Sequence, residues 1–141
     1  MTLNATTRFH VTLNEASAAV IRAATADPNE IGTAQEQIDQ LDQWSKAIQS
    51  RPESIVFQNA ISEVATGAFL LISGLYRPAF TSLRLFLELS LAAVHFSANR
   101  LELAEWVQGR KDVVWSALID PENGILSRRY ASAFFPLIPI Q

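Results

Sequence analysis

The sequence predicts an all-α protein, a helical bundle built around a long antiparallel helical hairpin with shorter flanking helices. Apolar residues recur at intervals of three and four along most of the chain, which is the period of an amphipathic helix. A short interruption divides the longest apolar stretch. We expect helices over about 53–75 and 78–98, with the joint between Gly74 and Pro78, because glycine weakens a helix and proline removes one of its hydrogen bonds.

Composition favours one soluble domain. The 141 residues fit a single domain that can bury a core. Charged residues make up 18% of the chain, below the usual value of about a quarter, so we expect apolar surface that a partner covers. The net charge of -3 argues against non-specific nucleic-acid binding, although a local basic cluster leaves RNA contact open. The absence of cysteine suits a cytoplasmic location.

No membrane span or signal peptide is expected. The N-terminus lacks the charged start and apolar run of a signal peptide. The stretch 69–96 approaches the roughly 18 uninterrupted apolar residues of a span, but Arg77, Arg84 and Glu88 interrupt it. A charge at the centre of a bilayer is costly, so we expect the protein to be soluble.

Three segments are expected along the chain. Residues 1–12 are rich in threonine and are expected to form an irregular N-terminal arm. Residues 13–135 form a single helical domain. The tail over 136–141 is apolar and uncharged, which predicts either a segment that docks into a groove or a shortened chain.

Cap signals place the flanking helices. Asn14 is the expected N-cap of a first helix over 15–26, and Thr33 has the capping-box spacing that opens a second helix. Asp112 is expected to cap a short helix and Ser127 the last one. An Asp-Pro-Glu-Asn-Gly turn separates those two helices.

Two heptad-like seams are expected to pack against each other within the hairpin. The first consists of Phe57, Ile61, Val64, Ala68, Leu71 and Leu75, and the second of Phe80, Leu83, Leu87, Leu91 and Val94. Gly67 and Ala68 would permit close approach of a neighbouring helix. We therefore expect most of the second hairpin helix to be buried.

A line of polar residues follows the second hairpin helix: Arg77, Thr81, Arg84, Glu88, His95 and Asn99. On a continuous helix its ionisable members and Glu102 fall within about 40° of one another. Such a set can bind an anion or transfer a proton, so Arg84, Glu88 and His95 are candidate catalytic residues. Arg77 and Arg84 are candidate ligand-binding residues. The favoured alternative is structural, and it predicts that Arg84 and Glu88 are paired and largely buried.

No metal or cofactor is expected. His10 and His95 lack neighbouring ligands at metal-binding spacings, and the nucleotide-binding and serine-nucleophile motifs are absent. Trp44, Trp106 and Trp115 could stack on nucleic-acid bases. Each lies in an amphipathic pattern, however, so core packing is the favoured role.

The segment 73–89, SGLYRPAFTSLRLFLEL, resembles proteins of the bacterial HEPN type, in which a glycine joint leads into a helix with a leucine-arginine and then a glutamate. Trp106, the run 109–112, Trp115 and 130–135 resemble their downstream part. The resemblance implies a helical domain that commonly dimerises through its long helices, in toxin–antitoxin, phage-defence or CRISPR-linked systems. Active members are metal-independent ribonucleases with a late arginine–histidine motif, which this chain lacks.

Three hypotheses follow for function. The first is a non-catalytic HEPN-like module for self-association or protein-partner binding. Under this hypothesis the chain is not an enzyme. The second is a metal-independent endoribonuclease that uses Arg84, Glu88 and His95 as a non-standard site. The third is a sensor domain in which Arg77 and Arg84 grip an anionic ligand.

Overall fold

The structure, a computed structural model, describes residues 4–134. Within that range it has helices and no strands, in the order α1 Ala5–Ala24, α2 Pro28–Ala47, α3 Ser54–Ile72, α4 Tyr76–Ala98, α5 Arg100–Val107, α6 Trp115–Leu118 and α7 Arg128–Phe134. The predicted all-α class is confirmed, and the predicted hairpin is the pair α3 and α4, which share the most extensive contact among these helices. The predicted tail over 136–141 lies outside the described residues.

The joint between α3 and α4 consists of Ser73, Gly74 and Leu75. Gly74 has a φ of 77°, the left-handed conformation that ends many helices. The Leu75 N–H donates to the Leu70 carbonyl at 2.9 Å, and the Gly74 N–H donates to the Leu71 carbonyl at 3.0 Å. The last carbonyls of α3 are therefore satisfied inside the turn, and the chain reverses where the sequence predicts it.

The two long helices approach each other through small residues. Ala60 and Gly67 of α3 and Ala79 of α4 are buried. A Cβ added to Gly67 would lie 3.2 Å from Leu83 Cγ and 3.4 Å from the Ala79 carbonyl oxygen. The predicted close approach at Gly67 is confirmed.

The predicted seams have the right period, but only part of each faces the interior: Phe57 and Leu91 pack against the core, and Leu83 lies against Gly67. The buried residues are Val56, Ala60 and Gly67 on α3, and Ala79, Ala92, Ala93 and Phe96 on α4. In contrast, Leu71, Leu75, Phe80, Leu87 and Val94 from the predicted seams are exposed. Small residues let two backbones come closest, so the bulky side chains other than Leu83 lie beside the contact and not within it. The expectation that most of α4 is buried is wrong for the same reason.

The core lies where α4 meets the C-terminal helices. It consists of Val56, Ala92, Ala93, Phe96, Leu103 and Leu118. Trp106 packs against this core, with its ring centroid 5.7 Å from that of Phe96, as predicted. Trp44 on α2 and Trp115 on α6 are exposed, so the expectation of core packing is wrong for both.

Two predicted helix starts are wrong in the N-terminal half. The segment 5–12, expected to be irregular, is the first part of α1, and Asn4 caps it by accepting a backbone N–H at 2.8 Å. Asn14 lies inside α1. Likewise Asp27 caps α2, and Thr33 lies inside that helix. All four residues are of types that cap helices, and a cap signal has no effect once the helix extends upstream of it.

The C-terminal predictions are mostly confirmed. Asp120 closes the expected turn by accepting the Asn123 N–H, and Ser127 Oγ accepts the Tyr130 N–H at 3.1 Å at the start of α7. Asp112 caps no helix, because α6 begins only at Trp115 and has no side-chain cap.

Replacing Gly67 by valine tests the close contact of α3 and α4. The larger side chain would collide with Leu83 and the Ala79 carbonyl, so we expect the free energy of unfolding to fall by about 1–3 kcal/mol, measured by urea denaturation. The control is Gly32→Ala in α2, where no described neighbour lies within 4 Å of an added Cβ. It should raise stability by up to about 1 kcal/mol. Equal stability of Gly67→Val and the wild type would contradict the tight contact.

Candidate functional site

The predicted site residues all lie on α4, but the structure separates them into different groups. Arg84 Nε lies 2.8 Å from Glu88 Oε1, whereas His95 faces Glu102 on α5. At 1.5 Å per residue, Arg84 and His95 are about 16 Å apart along the helix. Arg77 lies two turns further from His95 and is exposed. Arg84, Glu88 and His95 therefore do not converge on one reaction centre.

The pair of Arg84 and Glu88 lies at the surface, with Arg84 in solvent and Glu88 half-buried. The prediction that the two are paired is confirmed, but the prediction that they are largely buried is wrong, since the Arg84 side chain is 76% exposed. Within residues 4–134 no other helix supplies a partner for either charge. The reason is that α3 packs on the small-residue face of α4 and leaves the charged stripe outside. An exposed pair of this kind contributes about 0–1 kcal/mol.

Three ionisable groups meet at the corner between α4 and α5. His95 Nε2 lies 3.0 Å from Glu102 Oε2, and Lys111 Nζ lies 3.1 Å from Glu102 Oε1. Asn99 Nδ2 donates to the His95 carbonyl at 3.0 Å and lies 3.4 Å from His95 Nδ1. Sequence reasoning missed Lys111, although Gly109 was a signal, because its φ of 66° turns the chain back toward α5.

Two hydrogen-bonding neighbours hold the pKa of the Glu102 carboxyl below its usual value. The hydrogen bond from His95 is the larger cause, followed by that from Lys111. Glu102 is therefore a carboxylate at neutral pH, with both oxygens engaged. Each ring nitrogen of His95 also has a neighbour, so a substrate proton could reach the imidazole only if one of them moved. This arrangement anchors α5 to α4 more readily than it performs acid–base catalysis.

Two clefts flank the irregular segment 111–114. The first, of about 280 Å³, contains the cluster of His95, Glu102 and Lys111. The second, of about 350 Å³, is termed the α4–α6 cleft and is lined by Leu85, Glu88, Trp106, Asp112, Trp115 and Leu118, among others. Neither Arg77 nor Arg84 lines either cleft. Neither of these two clefts therefore supplies the anion-binding site that was predicted for the two arginines.

A further charge, Glu53, is almost completely buried and was not singled out by sequence reasoning. Only 3% of its side chain is exposed, and it pairs with Arg51 Nε and, at 3.4 Å, with Arg100 Nη1. These pairs connect the turn before α3 to the start of α5. Because a buried carboxylate needs such partners, the arginines have a structural role here.

Metal and membrane binding are separate questions. Among the described residues no three His, Asp or Glu side chains are grouped so that they could hold a metal ion.

Helices α3 and α4 are each long and apolar enough to cross a membrane, by length and composition alone. The expectation of no span treated 69–96 as one stretch, whereas the joint at Gly74 divides the apolar region into two helices.

Comparison with known proteins finds no relative for this chain. No family model, no curated protein and no solved structure matches it. The HEPN resemblance stays a prediction that rests on the motif in 73–89.

Replacing Glu102 by glutamine tests the corner cluster. The folded-state pKa of Glu102 is lowered from 4.5, so its stabilising contribution is present above that value and disappears as the pH falls through the folded-state pKa. At pH near 7 we expect the wild type to be more stable than Glu102→Gln by up to about 1 kcal/mol, since the group is partly exposed. Urea denaturation at several pH values measures the difference.

The matched control is Glu105→Gln on the same helix. The Glu105 carboxylate makes no hydrogen bond or ion pair with the described residues, so its replacement should change stability little at any pH. A stability difference for Glu102→Gln that stays constant down to a pH of about 3 would exclude an ionised Glu102 as its source.

Proposed function

We propose that the chain is a non-catalytic helical module that self-associates through α4. The observation that carries the proposal is a row of apolar side chains on α4, termed the α4 seam, in which four exposed residues alternate with the half-buried Leu83 and Leu91: Tyr76, Phe80, Leu83, Leu87, Leu91 and Val94. Tyr76, Phe80, Leu87 and Val94 are 58%, 66%, 53% and 47% exposed. Contiguous apolar patches on a soluble surface mark interaction sites.

The spacing of the α4 seam suits a second copy of the same helix. Counted from Leu87, apolar residues follow at four and seven positions in both directions. Two α4 helices packed antiparallel about a two-fold axis at Leu87 would place Phe80 opposite the partner's Val94. The same axis would place the accessible part of Leu83, which also contacts Gly67, opposite the accessible part of the partner's Leu91. A surface that complements itself in this way is what a two-fold dimer requires.

The charged edge beside the α4 seam favours the same pairing. With the axis at Leu87, Arg84 would lie opposite the partner's Ser90 and within one turn of the partner's Glu88. Opposite charges would therefore meet across the axis. These ion pairs between chains could replace the Arg84–Glu88 pair that forms within each chain. Arg77 would lie opposite the partner's Ser97, so no like charges face each other.

The available area supports a dimer of ordinary size. The exposed parts of the α4 seam would bury roughly 400 Å² per chain, given the size of aromatic and aliphatic side chains. The charged edge and the exposed Leu71 and Leu75 at the end of the hairpin extend this surface. Together they approach the about 800 Å² per partner of a standard interface.

A lipid bilayer is the other apolar partner that α3 and α4 could meet. Glu63 lies in the middle of α3, and Arg84 and Glu88 lie in the middle of α4. Charges at the centre of a bilayer are costly, whereas at the edge of a protein interface they stay solvated or paired. These charges favour the protein partner.

The HEPN resemblance adds a setting to the proposal. Self-association through long helices agrees with that family, and the missing arginine–histidine motif agrees with a module that performs no catalysis. On this basis we extend the proposal to a cytoplasmic protein of a bacterial defence or toxin–antitoxin system.

Placing a charge at the two-fold axis tests the proposal. We expect the wild type to be a dimer and Leu87→Glu to be a folded monomer, because two glutamates would face each other on the axis. Light scattering coupled to size exclusion gives the mass, and circular dichroism gives the helix content. Mixing Leu87→Glu with Leu87→Lys should restore a dimer.

The control for this test is Leu101→Glu, which changes a leucine of α5 that is exposed outside the α4 seam. It should leave the dimer intact. A monomeric wild type would contradict self-association. A dimer that persists in Leu87→Glu would exclude the α4 seam as its interface. Flotation of the wild type with phospholipid vesicles, lost in Leu87→Glu, would replace the protein partner by a membrane.

A further inference from the structure

We propose that the α4–α6 cleft binds a small organic cation, a quaternary or protonated amine with an apolar body. The cleft has a volume of about 350 Å³, within the range of small-molecule sites. Its walls combine apolar side chains with two indoles, from Trp106 and Trp115, and two carboxylates, from Glu88 and Asp112. Among the described residues, no lysine or arginine lines it.

The carboxylates of the α4–α6 cleft retain unused acceptor capacity. Arg84 engages only Oε1 of Glu88, and the arginine itself points into solvent. Within residues 4–134 the Asp112 carboxylate makes no hydrogen bond or ion pair, and the neighbouring Lys111 turns to Glu102 instead. A cation in the cleft would meet two acceptors, whereas an anion would meet two like charges.

The indoles favour a cation over a neutral apolar molecule. The face of an indole attracts a positive charge, and this attraction grows when the charge is removed from water. Trp106 is held against the core by Phe96, so its ring is already positioned in the unliganded chain. Leu85 and Leu118 supply the apolar contact that a trimethylammonium group or an alkyl chain would fill.

The α4–α6 cleft and the α4 seam occupy different sides of α4. On a helix of 100° per residue, Leu85 and Ala92 of the cleft point roughly 150° away from Leu87 of the seam. Glu88 lies between the two surfaces, and only its Oε1 is engaged by an arginine. The cation site goes beyond the proposed self-association and does not rest on it.

The experiment titrates the full-length chain with choline and follows the indole N–H signals by NMR. The chain has three tryptophans, which tryptophan-to-phenylalanine variants assign. We expect saturable shifts of the Trp106 and Trp115 signals and none of Trp44, which lies on a different groove. The neutral isostere, in which carbon replaces the choline nitrogen, should bind about tenfold more weakly or not at all.

Charge variants complete the test. The double variant Glu88→Gln with Asp112→Asn should weaken choline binding about tenfold or more, whereas Glu15→Gln on α1 should leave it unchanged. Arg84→Gln removes the competing ion pair but keeps Glu88, and binding should be equal or tighter. An unchanged NMR spectrum outside the cleft shows that each variant is folded.

Several results would overturn the cation site. These are the absence of saturable shifts at Trp106 and Trp115, equal binding of the neutral isostere, and undiminished binding by the double variant. Weaker binding by Arg84→Gln would also count against it.

Discussion

The contact between α3 and α4 at Gly67 decides most other features of the molecule. Gly67 has no side chain there, so the Leu83 side chain of α4 packs directly against the glycine backbone. Buried alanines at Ala60 and Ala79 continue the contact on both sides. Because two backbones approach most closely where side chains are small, this contact determines the rotation of α4 about its own axis. That rotation determines what each face of α4 meets.

Three faces of α4 have three different roles as a result. One face meets α3, a second supports the core through Ala92 and Phe96, and a third carries the α4 seam into solvent. The low charge content of the chain has its explanation here, because the structure leaves bulky apolar residues outside as well as inside. A single helix thus contributes to the core, the wall of a cleft and the proposed interface.

The ionisable residues of α4 illustrate how tertiary contacts divide a pattern that is continuous in sequence. His95 joins Glu102 and Lys111 because Gly109 turns the chain back after α5. The pair of Arg84 and Glu88, more than two turns away, has no such neighbour and stays at the surface. The first group ties two helices together and fixes the charge of Glu102, whereas the second is free to meet another molecule.

The sequence by itself determined the helical class, the hairpin and the turn at Gly74, because these depend on residues close together in the chain. The cap at Ser127 is local in the same sense. The sequence could not show that Asn4, and not Asn14, starts α1, since both residues have the same side chain. Only the tertiary structure decided which apolar stripe of α4 is buried. The period of a stripe follows from the geometry of one helix, but its rotational position depends on where a distant helix can come closest.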